Sequence, residues 1–318
     1  MTGLPSRSER AALSMLAAWM GERYFRTFRR SDEDPGPFDA LLSQRERRVG
    51  ITIGPLWDED DPPSFEPPGV AEFERMVTSD LEDGGGYVLW VPPGGELPAD
   101  EPQRSELRLR VSNGLKGLAP GERRELRLPV RLYLAKIQDS GAYVSVSGGL
   151  SSVWTDMSTG VEGAFHLDSL AIHRLPEEQA EVDIIISRVR DRAALLSTGE
   201  LTEVDVHDHW LVSRLAADEP AGLTVIAAPP AVVAGDGAAV RRVFRRRIRR
   251  ASEQREAGEC DFCVLLLVAS PAHIGDEMAT AALRGMSPTA YGSLDLIALA
   301  GDGQVRQVLQ PRSLPWES

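Results

Sequence analysis

The sequence predicts an α/β protein: a three-layer core with a mixed sheet, drawn from the N- and C-terminal thirds and carrying a large antiparallel β-rich insertion. Three observations lead there. In the last third, AVRRVFRRRIRRASEQRE places Val240, Val243, Phe244, Ile248 and Ala251 on one apolar helical stripe. It runs into FCVLLLVA, an unbroken apolar run of the kind that forms a strand covered on both faces. In the first third, helix-like and strand-like segments alternate between turn signals. From about 106 to 215 the segments instead alternate apolar and polar residues with the period of half-buried strands. The expected divisions are 1–105 and 227–318 as the two core halves, with 106–226 as the insertion or subdomain.

Taken in order, SERAALSMLAAWMGERYFRTF at 8–28 has Leu13, Leu16, Ala17, Met20, Tyr24 and Phe28 at helical spacing, with Ser8 able to cap. After the turn SDEDPGP come two short strands, FDALL and RRVGITIG. The acidic, proline-rich DEDDPPSFEPPG reads as a surface loop. VAEFERMVTSDLEDG reads as a second helix stopped by Gly84–Gly86, and YVLWV as a buried strand. In the middle third, ELRLRV, ELRLPVRLYLAKI, AYVSVSGGL, GAFHLDSLAIHRL, VDIIISRV and TEVDVHDHWLVSRL all read as strands, with QDSG as a hairpin turn. In the last third Asp236 is placed to cap the cationic helix and Gly258 to stop it. HIGDEMATAALRGM reads as a further helix, and SLDLIALAG and QVRQVL as strands joined across GDG.

Composition narrows the class. The net charge of −13 argues against a generic nucleic-acid coat protein and sets the arginine helix apart from its surroundings. Two cysteines cannot build a disulfide framework, so a reducing compartment is expected. No apolar leader and no run of membrane-spanning length is visible, so a cytoplasmic protein with no membrane partner is the expectation.

Several constellations carry chemistry. Arg241, Arg242, Arg245, Arg246, Arg249 and Arg250 fall off the apolar stripe and are expected to face outward. Arg23, Arg26, Arg29 and Arg30 close the first helix and could extend the same patch. Three uses of such a face stay open: a solvated surface paired with the protein's own acids, contact with nucleic-acid phosphates, and an acidic protein partner. Asp205, His207 and His209 alternate along one strand, as His166 and Asp168 do along another. Were those strands neighbours, a divalent metal would be held mainly by His207 and His209; the same pattern also suits an open polar sheet face. Cys260 and Cys263 form a single CxxC just before a strand, which reads as a pair of structural thiols.

The order helix, turn, FDALL, RRVGITIG, helix, YVLWV resembles the core of the PD-(D/E)XK nuclease-like superfamily, and that resemblance implies a restriction-endonuclease-like sheet. It also implies a metal-binding aspartate at Asp39 and a helix glutamate at Glu22, with an acid and a lysine two residues apart on the next strand. Thr52 and Gly54 stand at those last two positions. A hydroxyl is a poor substitute for a carboxylate around a hard cation, and glycine brings no charge. The expected function is therefore a non-catalytic component of a larger assembly, with no required cofactor, binding nucleic acid or an acidic partner through the arginine helix. Two alternatives stand beside it: a metal-dependent hydrolase or nuclease with relocated ligands such as Asp58, and a protein-interaction scaffold.

Overall fold

The computed structural model describes residues 6–57, 69–217, 219–227, 237–269 and 282–314. In chain order the first elements are α1 (Arg7–Tyr24), β1 (Arg29–Arg30), β2 (Ala40–Gln44), β3 (Arg47–Pro55), α2 (Val70–Thr78), β4 (Gly86–Val91) and α3 (Gln103–Leu115). They are followed by β5 (Arg123–Gln138), β6 (Ala142–Gly148), α4 (Trp154–Ser158), β7 (Gly163–Ser169), α5 (Gln179–Ala193) and β8 (Leu201–Arg214). The chain ends with β9 (Gly222–Ala227), α6 (Gly237–Ala257), β10 (Phe262–Val268), β11 (Leu296–Gly301) and β12 (Gln304–Leu309). Two compact units result, Met1–Arg124 with Leu211–Ser318, and Glu125–Trp210.

The first unit is built on a mixed sheet in the order β1-β2-β3-β10-β11-β12. β2 and β3 form an antiparallel hairpin, β3, β10 and β11 run parallel, and β12 returns antiparallel across the Asp302–Gly303 turn. Both faces are covered, which is why FCVLLLV is apolar throughout. Val264, Leu266 and Val268 meet α1 through Leu13, Leu16 and Met20. Cys263, Leu265 and Leu267 meet the Val240, Val243, Phe244, Ile248 and Ala251 stripe of α6. On the other side of α1 lies one end of the second sheet, in which β4 pairs antiparallel with the end of β8 and parallel with β9. The helix is thus apolar around much of its girth because it is packed between two sheets. Its N-cap is Ser6, in a reciprocal capping box with Glu9. Ser8, the expected cap, is instead buried and donates to the Val225 carbonyl.

The second unit has strands in the order β6-β7-β5-β8, with α4 and α5 on one face. β7 runs antiparallel to β5 but parallel to β6. QDSG therefore does not close a hairpin between neighbours, because β7 lies between the two strands that it links. The sheet is mixed for the same reason.

Two expected strands are helices. ELRLRV lies inside α3 and VDIIISRV inside α5. Leu107, Val111 and Leu115 recur every four residues, and Val182, Ile185, Ile186, Val189 and Ala193 fill one helical stripe. The helical period extends over the longer span and outweighs the local alternation. The expected loop at 58–69 up to residue 68, the Asp236 cap, the relocated ligand Asp58 and most of the helix at 273–286 lie outside the described residues. Among the described residues no helix is long and apolar enough to cross a membrane.

Candidate functional site

The arginine helix presents Arg241, Arg242, Arg245, Arg246 and Arg249 on its exposed side, while Arg250 and Arg247 turn inward. Arg250 corrects the outward reading: its guanidinium donates to Asp39 Oδ1 at 2.5 Å. The other carboxylate oxygen of Asp39 accepts the Ile53 backbone N–H at 2.8 Å. Arg247, which sits on the apolar stripe by spacing, is only 1% exposed. It lies against Gly54, where a Cβ would come within 2.8 Å of its Nε. The glycine at the expected lysine position is therefore the slot that an arginine from the neighbouring helix fills. Thr52, two residues earlier on the same face, donates its hydroxyl to Gln254 of α6.

The acid expected on the first helix is also different. Glu22 is exposed near the C-terminal end of α1 and lines a separate cavity with Trp19 and Gln304. It stands about 20 Å along the helix from Glu9, the α1 carboxylate that interacts with Asp39. Burial pushes the Glu9 carboxyl above its usual range; Ser6 opposes that rise, Asp39 adds to it, and Arg250 opposes it. Two carboxylates and a fixed guanidinium thus share one end of the main sheet. The cation there is Arg250, supplied by the protein itself.

Arg26, Arg29 and Arg30 do not extend the α6 face. They line a cavity of about 490 Å³ with Arg10, Phe28 and Glu219, where α1 ends. Arg23 lies over the Trp19 and Tyr24 rings. These residues belong to the α1 layer, and the sheet separates that layer from α6. The two cysteines both face α6. Cys260 precedes the strand and so escapes its alternation; its sulfur accepts from Arg255 Nη1 at 2.9 Å, while Cys263 packs in the core beneath α6.

In the second unit the two histidine-bearing strands are not neighbours, since β5 lies between β7 and β8. His166 and Asp168 therefore do not meet His207 and His209. Instead His209, 2% exposed, faces two glutamates that the sequence spacing does not single out. Its Nδ1 lies 3.1 Å from Glu125 Oε1 on β5 and 4.0 Å from Glu181 Oε2 on α5. Among the described residues these three form the one group of histidine, cysteine and carboxylate side chains able to hold a metal ion. Burial pushes the Glu125 carboxyl up, but His209 and Arg174 outweigh it and hold it below its usual value. His207 lines a cavity of about 160 Å³ beside Glu181 and His209, together with Arg127 and Arg188.

Asp208 fixes this arrangement. Its Oδ1 accepts from the backbone N–H groups of His173, Arg174 and His209 at 2.9, 3.0 and 3.0 Å. Its Oδ2 accepts from Trp210 Nε1 and contacts His173 Nδ1, both at 2.8 Å. One buried carboxylate so ties the turn after β7 to β8 and delivers Arg174 to Glu125 and Glu177.

No family model matches the chain, and neither a curated protein nor a solved structure matches it.

Proposed function

We propose that the protein is a non-catalytic component of a larger assembly that binds a polyanion, the phosphate backbone of nucleic acid, through the exposed face of α6. The observation that carries the reading is the ridge of Arg241, Arg245 and Arg249, spaced four apart and all exposed on a molecule of net charge −13. Forked guanidinium donors suit phosphate oxygens, and each phosphate contact releases condensed counterions, so affinity does not require base recognition. The non-catalytic part rests on Asp39. In a nuclease-like core that carboxylate would hold a divalent cation; here Arg250 and the Ile53 N–H occupy it, while Thr52 and Gly54 supply neither acid nor lysine. The same reading sets the protein in the cytoplasm, a compartment suited to its free thiols Cys260 and Cys263.

The test is direct binding of fluorescently labelled single-stranded and duplex oligonucleotides of random sequence at low salt, with magnesium or manganese present. The expected result is binding without cleavage, at a Kd of about 1–100 μM near physiological salt. Cleavage lost in Asp39→Ala would overturn the non-catalytic part. Absence of binding at low salt would overturn the polyanion part and leave an acidic protein partner or a solvated surface as the role of α6.

A further inference from the structure

The second unit holds a feature that the polyanion reading does not use. His209 is almost completely buried, with 3% of its side chain exposed, yet its Nδ1 makes no well-aligned hydrogen bond, although Glu125 Oε1 stands 3.1 Å away. Such a nitrogen is costly to leave without a partner. The nearest acceptors are two carboxylates, one from the first residues of β5 and one from the first turn of α5, and the three ligand atoms lie within 4.8 Å of one another.

We propose that Glu125, Glu181 and His209 form a binding site for a divalent transition-metal ion of the zinc type. The spacing suits one. Nitrogen and oxygen ligands at about 2.0–2.1 Å in a tetrahedron stand about 3.4 Å apart, and the observed separations of 3.1 and 4.0 Å bracket that value. An imidazole nitrogen directed at an ion between the ligands points away from each carboxylate oxygen, in keeping with a 3.1 Å approach that is not a hydrogen bond. Each carboxylate also pairs with an arginine: Glu181 through the oxygen away from His209, to Arg127, and Glu125 through the oxygen that faces His209, to Arg174. Ligating carboxylates are commonly oriented by such outer partners. The Asp208 bond to the His209 N–H fixes the backbone from which the imidazole projects. Three protein ligands leave a position open, and the cavity lined by His207, Arg127 and Arg188 adjoins Glu181 and His209. The donor set of one imidazole and two carboxylates belongs to zinc and its neighbours rather than to calcium or magnesium, which take oxygen ligands alone.

The experiment uses the full chain, stripped with a chelator and titrated with zinc by calorimetry, then with cobalt while the visible spectrum is recorded. The expected result is saturable binding of one ion per chain, with the ligand-field bands of low-coordinate cobalt. Affinity should fall at least tenfold in Glu125→Gln and in His209→Gln, with an unchanged circular dichroism spectrum. If His209→Gln fails to fold, Glu125→Gln and Glu181→Gln decide the question, since both lie nearer the surface. Absence of zinc and cobalt binding would overturn the site and leave His209 as a buried side chain beside two carboxylates. Binding that persists undiminished in the Glu125→Gln/Glu181→Gln double variant would overturn it equally. Neither outcome bears on oligonucleotide binding by α6, so this inference stands or falls separately from the proposed function.

Discussion

Replacing Asp208 tests how the second unit is held together. Its carboxylate is 2% exposed and accepts from three backbone N–H groups and the Trp210 indole, with His173 Nδ1 as a fifth contact. Asp208→Ala leaves those donors without an acceptor. Each orphaned buried donor costs about 1–3 kcal/mol. The Arg174 and His209 N–H groups and the Trp210 indole are the three that water cannot readily reach, because all three residues are buried. We therefore expect a loss of about 3–5 kcal/mol, the range for breaking a buried charged network. Asp208→Asn keeps one acceptor oxygen and should cost roughly half as much. Urea unfolding followed through Trp210 fluorescence, with hydrogen exchange at the 173, 174 and 209 amides, measures both. The pH dependence has a fixed sign. Burial raises the Asp208 pKa, but the bonds from His173 and Arg174 more than offset it, so the folded value lies below the usual one. The carboxylate's contribution is thus complete above the unfolded value of about 3.9 and is lost as pH falls through the folded value. The gap between wild type and Asp208→Asn should narrow in acid. A cost under about 1 kcal/mol for Asp208→Ala at neutral pH, or a gap independent of pH, would show that the Asp208 carboxylate does not hold this unit together.

Three further outcomes follow from the first unit. Cys260 is held at a pKa of about 7 by donation from the Cys263 thiol, with Arg255 and the Gly50 backbone helping against burial. Its alkylation rate should therefore reach half-maximum near pH 7, and Arg255→Gln should move that point upward; Cys263, whose pKa is pushed up, should stay unmodified in the folded protein. Phe244→Ala removes a ring only 1% exposed and should cost about 3–5 kcal/mol in urea unfolding. Gly54→Ala drives a Cβ to within 2.8 Å of Arg247 Nε and should cost about 1–3 kcal/mol by overpacking; an unchanged midpoint would mean that Arg247 swings aside freely.

The parts legible in the sequence are those with local period. The apolar stripe of α6, the unbroken run of β10 and the β11–β12 turn all needed only neighbours along the chain. Helices α3 and α5 were less legible because Leu107, Leu109 and Val111 also alternate with arginines, and only the longer stripe separates helix from strand. Arg247 and Arg250 were within reach: with Val243, Ala251 and Gln254 they share the three- and four-residue spacing of the buried face. The charge of Arg250 argues for solvent, and the partners that draw it inward, Asp39 and the Ile53 carbonyl, are about two hundred residues away. The His209 group was not legible. Glu125 and Glu181 carry no spacing signal relative to His209, and they meet only because β5 lies beside β8 and VDIIISRV is a helix.

Phosphate binding by α6, as proposed, has its sharpest test in salt dependence. The measurement is the slope of log affinity against log salt for a labelled oligonucleotide, in wild type and in Arg241→Ala/Arg245→Ala/Arg249→Ala. Three lost phosphate contacts should weaken binding and flatten the slope by about 2.7 on duplex DNA and about 2.1 on single strands. Stability should change by no more than about 0.5 kcal/mol per substitution, because these side chains are exposed. A wild type that binds no oligonucleotide at low salt, or a triple variant whose slope matches wild type, would rule out phosphate contact by this ridge.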